Sequence, residues 1–225
     1  MPRTLSRFID FQKFVIRGNG AITVIKLMMA CNDLSLANEA AATWKQEKAK
    51  IKAQRRDGAR MYFVRTQIAH LYEGLKIVDA IKRDAVLLFF VEKCDPQTQE
   101  SFRHLEDYLP GGTKRAMFER LAGQVRHNLA FHYNETGKLI EKAIADRASH
   151  TEAHISSVTK GDDVYLWHFK AAADVVDSTV VRQIWHIPRN VDLRSEADRI
   201  ADHLHQVFLW FMDFAGEFIW RYCGN

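Results

Sequence analysis

The chain has 225 residues and a formal net charge of +4, and it is 47% hydrophobic and 27% charged with only four prolines. That composition excludes a disordered protein and supplies enough apolar residues for a substantial core. The mildly basic balance permits a polyanionic partner without requiring one.

At the N-terminus, "MPRTLSRFIDFQKFVIRG" places Arg3, Arg7, Asp10 and Lys13 across every apolar run, which is unlike a secretory signal. From Ala21 to about Gln54 proline and glycine are absent, while alanine, leucine, methionine, lysine and glutamate abound, so a long helix is expected. Gly58 in "RRDGAR" is the expected break. Tyr62, Ile68, Leu71, Tyr72, Leu75, Val78 and Ile81 then recur at three- and four-residue spacing. They predict a second long helix, antiparallel to the first if the turn is short. "CDPQTQESFRHLEDYLPGG" predicts a stop, a helix opening after Pro96 and a further stop at Pro110, Gly111 and Gly112. Thr113 is placed to cap the next helix, where Met117, Leu121, Val125 and Leu129 fall at every fourth residue. Helix then continues from Asn134 to about Ala148, with Asn134 and Gly137 marking either a kink or a break.

Residues 155–169, "ISSVTKGDDVYLWHF", change character: β-branched and aromatic residues flank a "KGDD" turn, as in a short hairpin or irregular excursion. "KAAADVVDSTVVRQIW" returns to a helical pattern that Pro188 ends. A closing helix follows, with Ser195 and Asp198 suited to its N-terminal cap region. Its stripe of Ile200, Leu204, Phe208, Phe211, Ala215 and Phe218 is broad enough to face both a core and a neighbouring subunit. The expected fold is all-α, an up-and-down helical bundle forming a single domain over 1–225, with a small β-hairpin or irregular insert near 155–169.

Cys31, Cys94 and Cys223 are widely spaced and form no CxxC pair, so neither a disulfide framework nor a cysteine zinc site is expected. A reducing, cytoplasmic setting follows. Among apolar stretches, 85–91 is too short to span a membrane, and 207–220 is interrupted by Asp213 and Glu217. A soluble protein with no membrane partner is expected.

Several patterns carry little chemistry. "GNGAIT" (18–23) and "PGGTKR" lack the frame of a phosphate-binding loop and read as turns. "HTEAH" places His150 and His154 four apart, a spacing that suits a metal, but its glutamate is misplaced for a zinc protease and exposed histidines are the simpler reading. Residues 45–65 hold eight basic residues against Glu47 and Asp57. This run reads first as a solvated helix face and second as a contribution to nucleic-acid binding, with Lys52, Arg55, Arg56 and Arg60 as candidates.

The segment "LAGQVRHNLAFHYNETG" (121–137) is different, because an arginine, two histidines and an asparagine crowd into seven residues of an otherwise amphipathic helix. Asn128 and His132 share a face of an ideal helix, whereas Arg126 and His132 are offset by about 120°. A guanidinium that grips phosphate beside an imidazole that moves a proton is the minimum equipment for handling a phosphodiester.

"RHNLAFH", Arg126 to His132, resembles the signature of the HEPN superfamily: an arginine, usually followed by a polar residue, then four to six residues and a histidine. The surrounding "LAGQVRHNLAFHY" also looks like the form seen in many bacterial and phage-defence members, abortive-infection types included. The resemblance is sharp over about a dozen residues and elsewhere extends to a compatible all-α architecture. It implies a helical bundle that dimerises to bring two motifs into a cleft, and a metal-independent endoribonuclease acting on RNA with no cofactor. In that reading Arg126 binds and polarises the scissile phosphate, and His132 transfers a proton at the ribose 2′-hydroxyl. His127 or Asn128 orients the substrate or the catalytic pair. Dimerisation would resolve the angular offset by pairing Arg from one subunit with His from the other. A toxin or phage-defence role, with an antitoxin as possible partner, is within the family's range. Some members are catalytically silent, so a helical module binding a nucleotide or a protein is the alternative.

Overall fold

The computed structural model describes residues 5–46, 50–130, 136–150, 154–160, 162, 168–191 and 193–224, with side chains apart from those of 13, 44–46, 50–60, 193–198 and 201. The order of elements is α1 (Phe11–Val15), α2 (Asn19–Gln46), α3 (Lys50–Arg83), α4 (Ala85–Glu92), α5 (Pro96–Glu106) and α6 (Arg115–Phe118). Then come π-helical turns at Glu119–Gly123 and Arg126–Ala130, and α7 (Lys138–Ala148). After these come β1 (Val158–Thr159), β2 (His168–Phe169), α8 (Lys170–Ser178), a π-helical run at Thr179–Ile184, and α9 (Leu193–Cys223). With 76% helix and 2% strand, the protein is all-α with a small hairpin. The hairpin is antiparallel, pairing Val158 with Phe169 and Thr159 with His168.

Caps explain several boundaries. Asp84 ends α3 and opens α4, its carboxylate accepting from Val86 N (2.9 Å) and Leu87 N (3.1 Å). Asp95 does the same for α5, accepting from Thr98 N (3.0 Å) and from the Thr98 hydroxyl (2.7 Å), with Pro96 in the first turn where its missing N–H costs nothing. Gly137 resolves the question of kink or break: at φ 67° it adopts the left-handed conformation immediately before α7, so the chain breaks there.

Four expectations are corrected. Gly58 does not interrupt the chain, because α3 runs through it from Lys50; an interior glycine costs about 1 kcal/mol of helix propensity, which a long helix tolerates. The Thr113 hydroxyl donates to Asp107 Oδ1 (2.9 Å), and the next helix starts only at Arg115. α9 begins at Leu193, which puts Ser195 and Asp198 inside its first turns; their side chains lie outside the described residues. Membrane-length apolar character lies in α2, where Asn19–Thr43 has a mean hydropathy of 1.3.

Backbone contacts gather the chain into two compact units: Met1–Leu34, Glu73–Ala116 and His205–Asn225 form the first, and Ser35–Tyr72 with Met117–Leu204 the second. In the first unit, Val24 and Leu27 of α2, Leu75, Val78 and Ile81 of α3, and Leu87 and Val91 of α4 are buried. Phe102 and Leu105 of α5 join them, as do Phe211, Phe214 and Phe218 of α9. Each such side chain contributes about 1.5–3 kcal/mol. The approach is close: a Cβ on Gly74 would lie 2.8 Å from the Phe211 ring, so glycine is required where α3 meets that aromatic. Phe102 and Phe214 pack with ring centroids 4.9 Å apart. The aromatic stripe of α9 is thus largely consumed by the unit's own core.

In the second unit, α7 packs against α8 and the π-helical run that continues it. Two carboxylates fasten this group. Asp146 receives Arg189 and the Ser178 hydroxyl, and Asp174 receives Lys170 (2.8 Å), Arg147 (3.2 Å) and the Ser156 hydroxyl (2.6 Å). Gln67 on α3 donates to Asn38 on α2 (3.2 Å).

Burial alone would raise both carboxyls, but the hydrogen bonds and charge of Arg189 and Ser178 hold Asp146 below the ordinary carboxylate range, and those of Lys170, Ser156 and Arg147 do so for Asp174. The Thr98 N–H and hydroxyl lower Asp95 in the same direction. A folded-state pKa below the unfolded value of about 3.9 stabilises the fold above that pH, and the contribution disappears as pH falls through the folded value. Circular-dichroism melts from pH 7 to pH 2 are therefore expected to show Tm falling below about pH 4. Asp174→Asn should lower Tm at neutral pH and flatten the acid limb.

Candidate functional site

The sequence predicts one amphipathic helix over residues 114–133, of which 131–133 lie outside the described residues, and the apolar face of the described part behaves accordingly. Leu121, Val125 and Leu129 are buried with Phe118 and Ala122, while Met117 is half-buried. The winding differs: after the short α6 the chain widens into π-helical turns at Glu119–Gly123 and Arg126–Ala130. Such turns are rare and cluster at functional sites. The three successive four-residue steps from Met117 to Leu129 fit either winding, so the spacing alone did not distinguish them.

Side chains supply donors to the carbonyls of this run. Trp185 Nε1–H donates to Leu121 O (3.0 Å) within the buried interior. Asn128 Nδ2 donates to Gln124 O (2.8 Å) and to the Gln124 side-chain oxygen (3.2 Å). From α3, Arg65 Nη1 donates to Leu129 O (2.6 Å). Trp185 is brought to its place because Thr179–Ile184 is itself π-helical and ends where His186 adopts φ 54°. Arg182 Nη1 then closes that end on Ile187 O (2.6 Å) and Pro188 O (3.0 Å).

Arg126 is half-buried, and its Nη1 lies 3.1 Å from His127 Nδ1. A guanidinium has no acceptor, so Nδ1 accepts in this contact and the ring proton sits on Nε2. His127 is exposed, and its ring meets Tyr72 edge to face with centroids 5.7 Å apart. Tyr72, on α3, stacks on Phe118 (6.0 Å) and donates its hydroxyl to the Glu119 carboxylate (3.1 Å to Oε1 and 3.2 Å to Oε2). Glu119 folds back over Gly123, where a Cβ would lie 2.2 Å from Oε1. The glycine thereby leaves room for an acidic group one turn before Arg126.

Of the residues read from the sequence, Arg126, His127 and Asn128 stand together here, with Asn128 turned back on Gln124 and not toward Arg126's partner. His132 lies outside the described residues, as do the side chains of Lys52, Arg55, Arg56 and Arg60 on α3. Arg65, the last basic residue of the 45–65 run, is a donor to the motif segment itself. Tyr72 and Glu119 carried no distinguishing pattern: Tyr72 belonged to the apolar stripe of α3, and its pairing with Glu119 spans 47 residues. Among the described residues no group of three or more His, Cys, Asp or Glu converges as a metal site would; His154 Nδ1 instead lies 3.0 Å from the His150 carbonyl.

No family model, curated protein or solved structure matches the chain. The site is consequently defined by its own residues, and its dependence on buried carbonyl donors can be measured. Trp185→Phe removes the indole N–H together with part of the buried ring, leaving Leu121 O without that bond. The expected cost is about 1–3 kcal/mol in chemical denaturation, whereas an unchanged midpoint would mean that the bond does not hold the run.

Proposed function

We propose that the chain is a metal-independent endoribonuclease of the HEPN type, with Arg126 and His132 as its catalytic residues. The observation that carries the reading is the Arg126–His127 pair, a cation and an imidazole 3.1 Å apart in a π-helical turn, at the head of the "RHNLAFH" pattern. A half-buried guanidinium beside an exposed imidazole presents groups suited to phosphate oxygens.

In this reading Arg126 neutralises the non-bridging oxygens of the scissile phosphate and the charge that builds as it becomes five-coordinate. His127 Nε2–H orients one of those oxygens. His132 accepts the 2′-hydroxyl proton as the 2′-oxygen bonds to phosphorus, and the P–O5′ bond breaks, the departing 5′-oxygen taking a proton from water. The products are a 2′,3′-cyclic phosphate and a 5′-hydroxyl end. Proton transfer of this kind contributes about 10²–10⁴-fold, and the balance of the reaction calls for no metal or cofactor. Pairing of two copies in a homodimer would let Arg126 of one subunit serve with His132 of the other. A toxin or phage-defence effector in the cytoplasm, held in check by an antitoxin, is the setting this activity fits.

Substitution separates the reading from a purely structural role. Arg126→Ala and His132→Ala are each expected to abolish cleavage while leaving the helical signal and Tm close to wild type, and Asn128→Ala to lower the rate less. Wild-type protein that leaves RNA intact, yet captures a specific partner, would favour the non-catalytic helical module instead.

A further inference from the structure

The N-terminal part of the first unit exposes apolar side chains in a pattern that the ribonuclease reading does not use. Leu5, Phe8, Phe11, Val15 and Ile16 are exposed, Phe8 at 97% and Phe11 at 70%, and Ile22 and Met29 continue the surface along α2. Between α1 and the start of α2 lies an open groove of about 570 Å³ whose lining includes Phe11, Val15, Ile22 and Ile25.

Two arginines hold this segment in place. Arg7 Nη1 donates to Trp220 O (2.8 Å) with its guanidinium 4.0 Å from the Trp220 ring centroid, and Arg17 Nη1 donates to Tyr222 O (2.8 Å). Both cations thus sit at the C-terminal end of α9, where the helix dipole favours positive charge. The aromatic and aliphatic side chains are therefore presented outward by an anchored backbone.

We propose that this face docks on an anionic lipid bilayer, with Phe8, Phe11, Val15 and Ile16 entering the interface. Charge decides the occupant. Residues 5–26 carry Arg7, Lys13, Arg17 and Lys26 against a single acidic residue, Asp10. A second copy docked on the same face would set these basic groups against their own counterparts, whereas an anionic surface complements them. Exposed apolar residues interspersed along the chain with Lys and Arg are the pattern of an interfacial segment. α2 is apolar enough to span a membrane, but Val24, Leu27 and Leu34 are fully buried in the fold, and a peripheral contact leaves that packing intact. This inference is independent of the ribonuclease reading.

Flotation of the full chain with vesicles of phosphatidylcholine, alone or with phosphatidylglycerol, tests it. Wild type should float with the anionic vesicles and not the neutral ones, and should detach near 1 M salt, where the Debye length is about 3 Å. Phe8→Ser/Phe11→Ser should weaken partitioning by about tenfold or more with Tm unchanged, because both side chains are already in solvent. The proposal is overturned if wild type stays with the soluble fraction in every mixture, or if the double variant floats equally well. It is equally overturned if light scattering shows a dimer that the double variant dissolves while neither protein binds vesicles.

Discussion

Where a helix widens from the α to the π register, backbone N–H groups bond the carbonyl five residues back, as Gln124 N does to Glu119 O, and side chains can add further donors to the carbonyls of such a run. In the second unit, side-chain donors converge on residues 121–129. Trp185 donates to Leu121, Asn128 to Gln124 and Arg65 to Leu129, so donors arrive from the run after α8, from the segment itself and from α3. Arg126 stands in the middle of these bonds, which fix the backbone on either side of it. Tyr72, set between Phe118, Glu119 and His127, adds a lateral constraint from α3.

The first unit obeys a different rule, that of close aromatic packing. Phe211, Phe214 and Phe218 are fully buried, and Gly74 lets α3 come within reach of Phe211. The fusion of short helices here depends on Asp84 and Asp95, each a cap whose carboxylate replaces missing backbone acceptors. What this unit leaves unsatisfied is apolar: the outer side chains of α1 and early α2, held outward by Arg7 and Arg17.

Much of this was legible from the residues. The period of α3 identified Leu71, Leu75, Val78 and Ile81 as buried, "DP" marked the start of α5, and the change of composition at 155–169 located the hairpin. Gly58 misled because glycine lowers helix stability without ending a helix unless it adopts positive φ, which Gly137 does. The π-helical winding was hidden because hydrophobic spacing reports which side chains face inward, and three- and four-residue steps serve α and π turns alike. Pairings such as Trp185 with Leu121 depend on contacts 64 residues apart, for which one sequence carries no local signal. The site was half legible: "RHNLAFH" drew notice to Arg126 and His127, whereas the contributions of Arg65, Tyr72 and Glu119 arise only from the fold.

The proposed activity requires that the Arg126 segment handle a phosphodiester. The direct measurement is end-group analysis of RNA after incubation of the purified protein with total RNA and tRNA in the presence of EDTA. Fragments ending in 2′,3′-cyclic or 3′-phosphate with 5′-hydroxyl partners are expected, formed at the same rate with and without chelator. RNA left intact, or fragments bearing 5′-phosphate that vanish with EDTA, would contradict it.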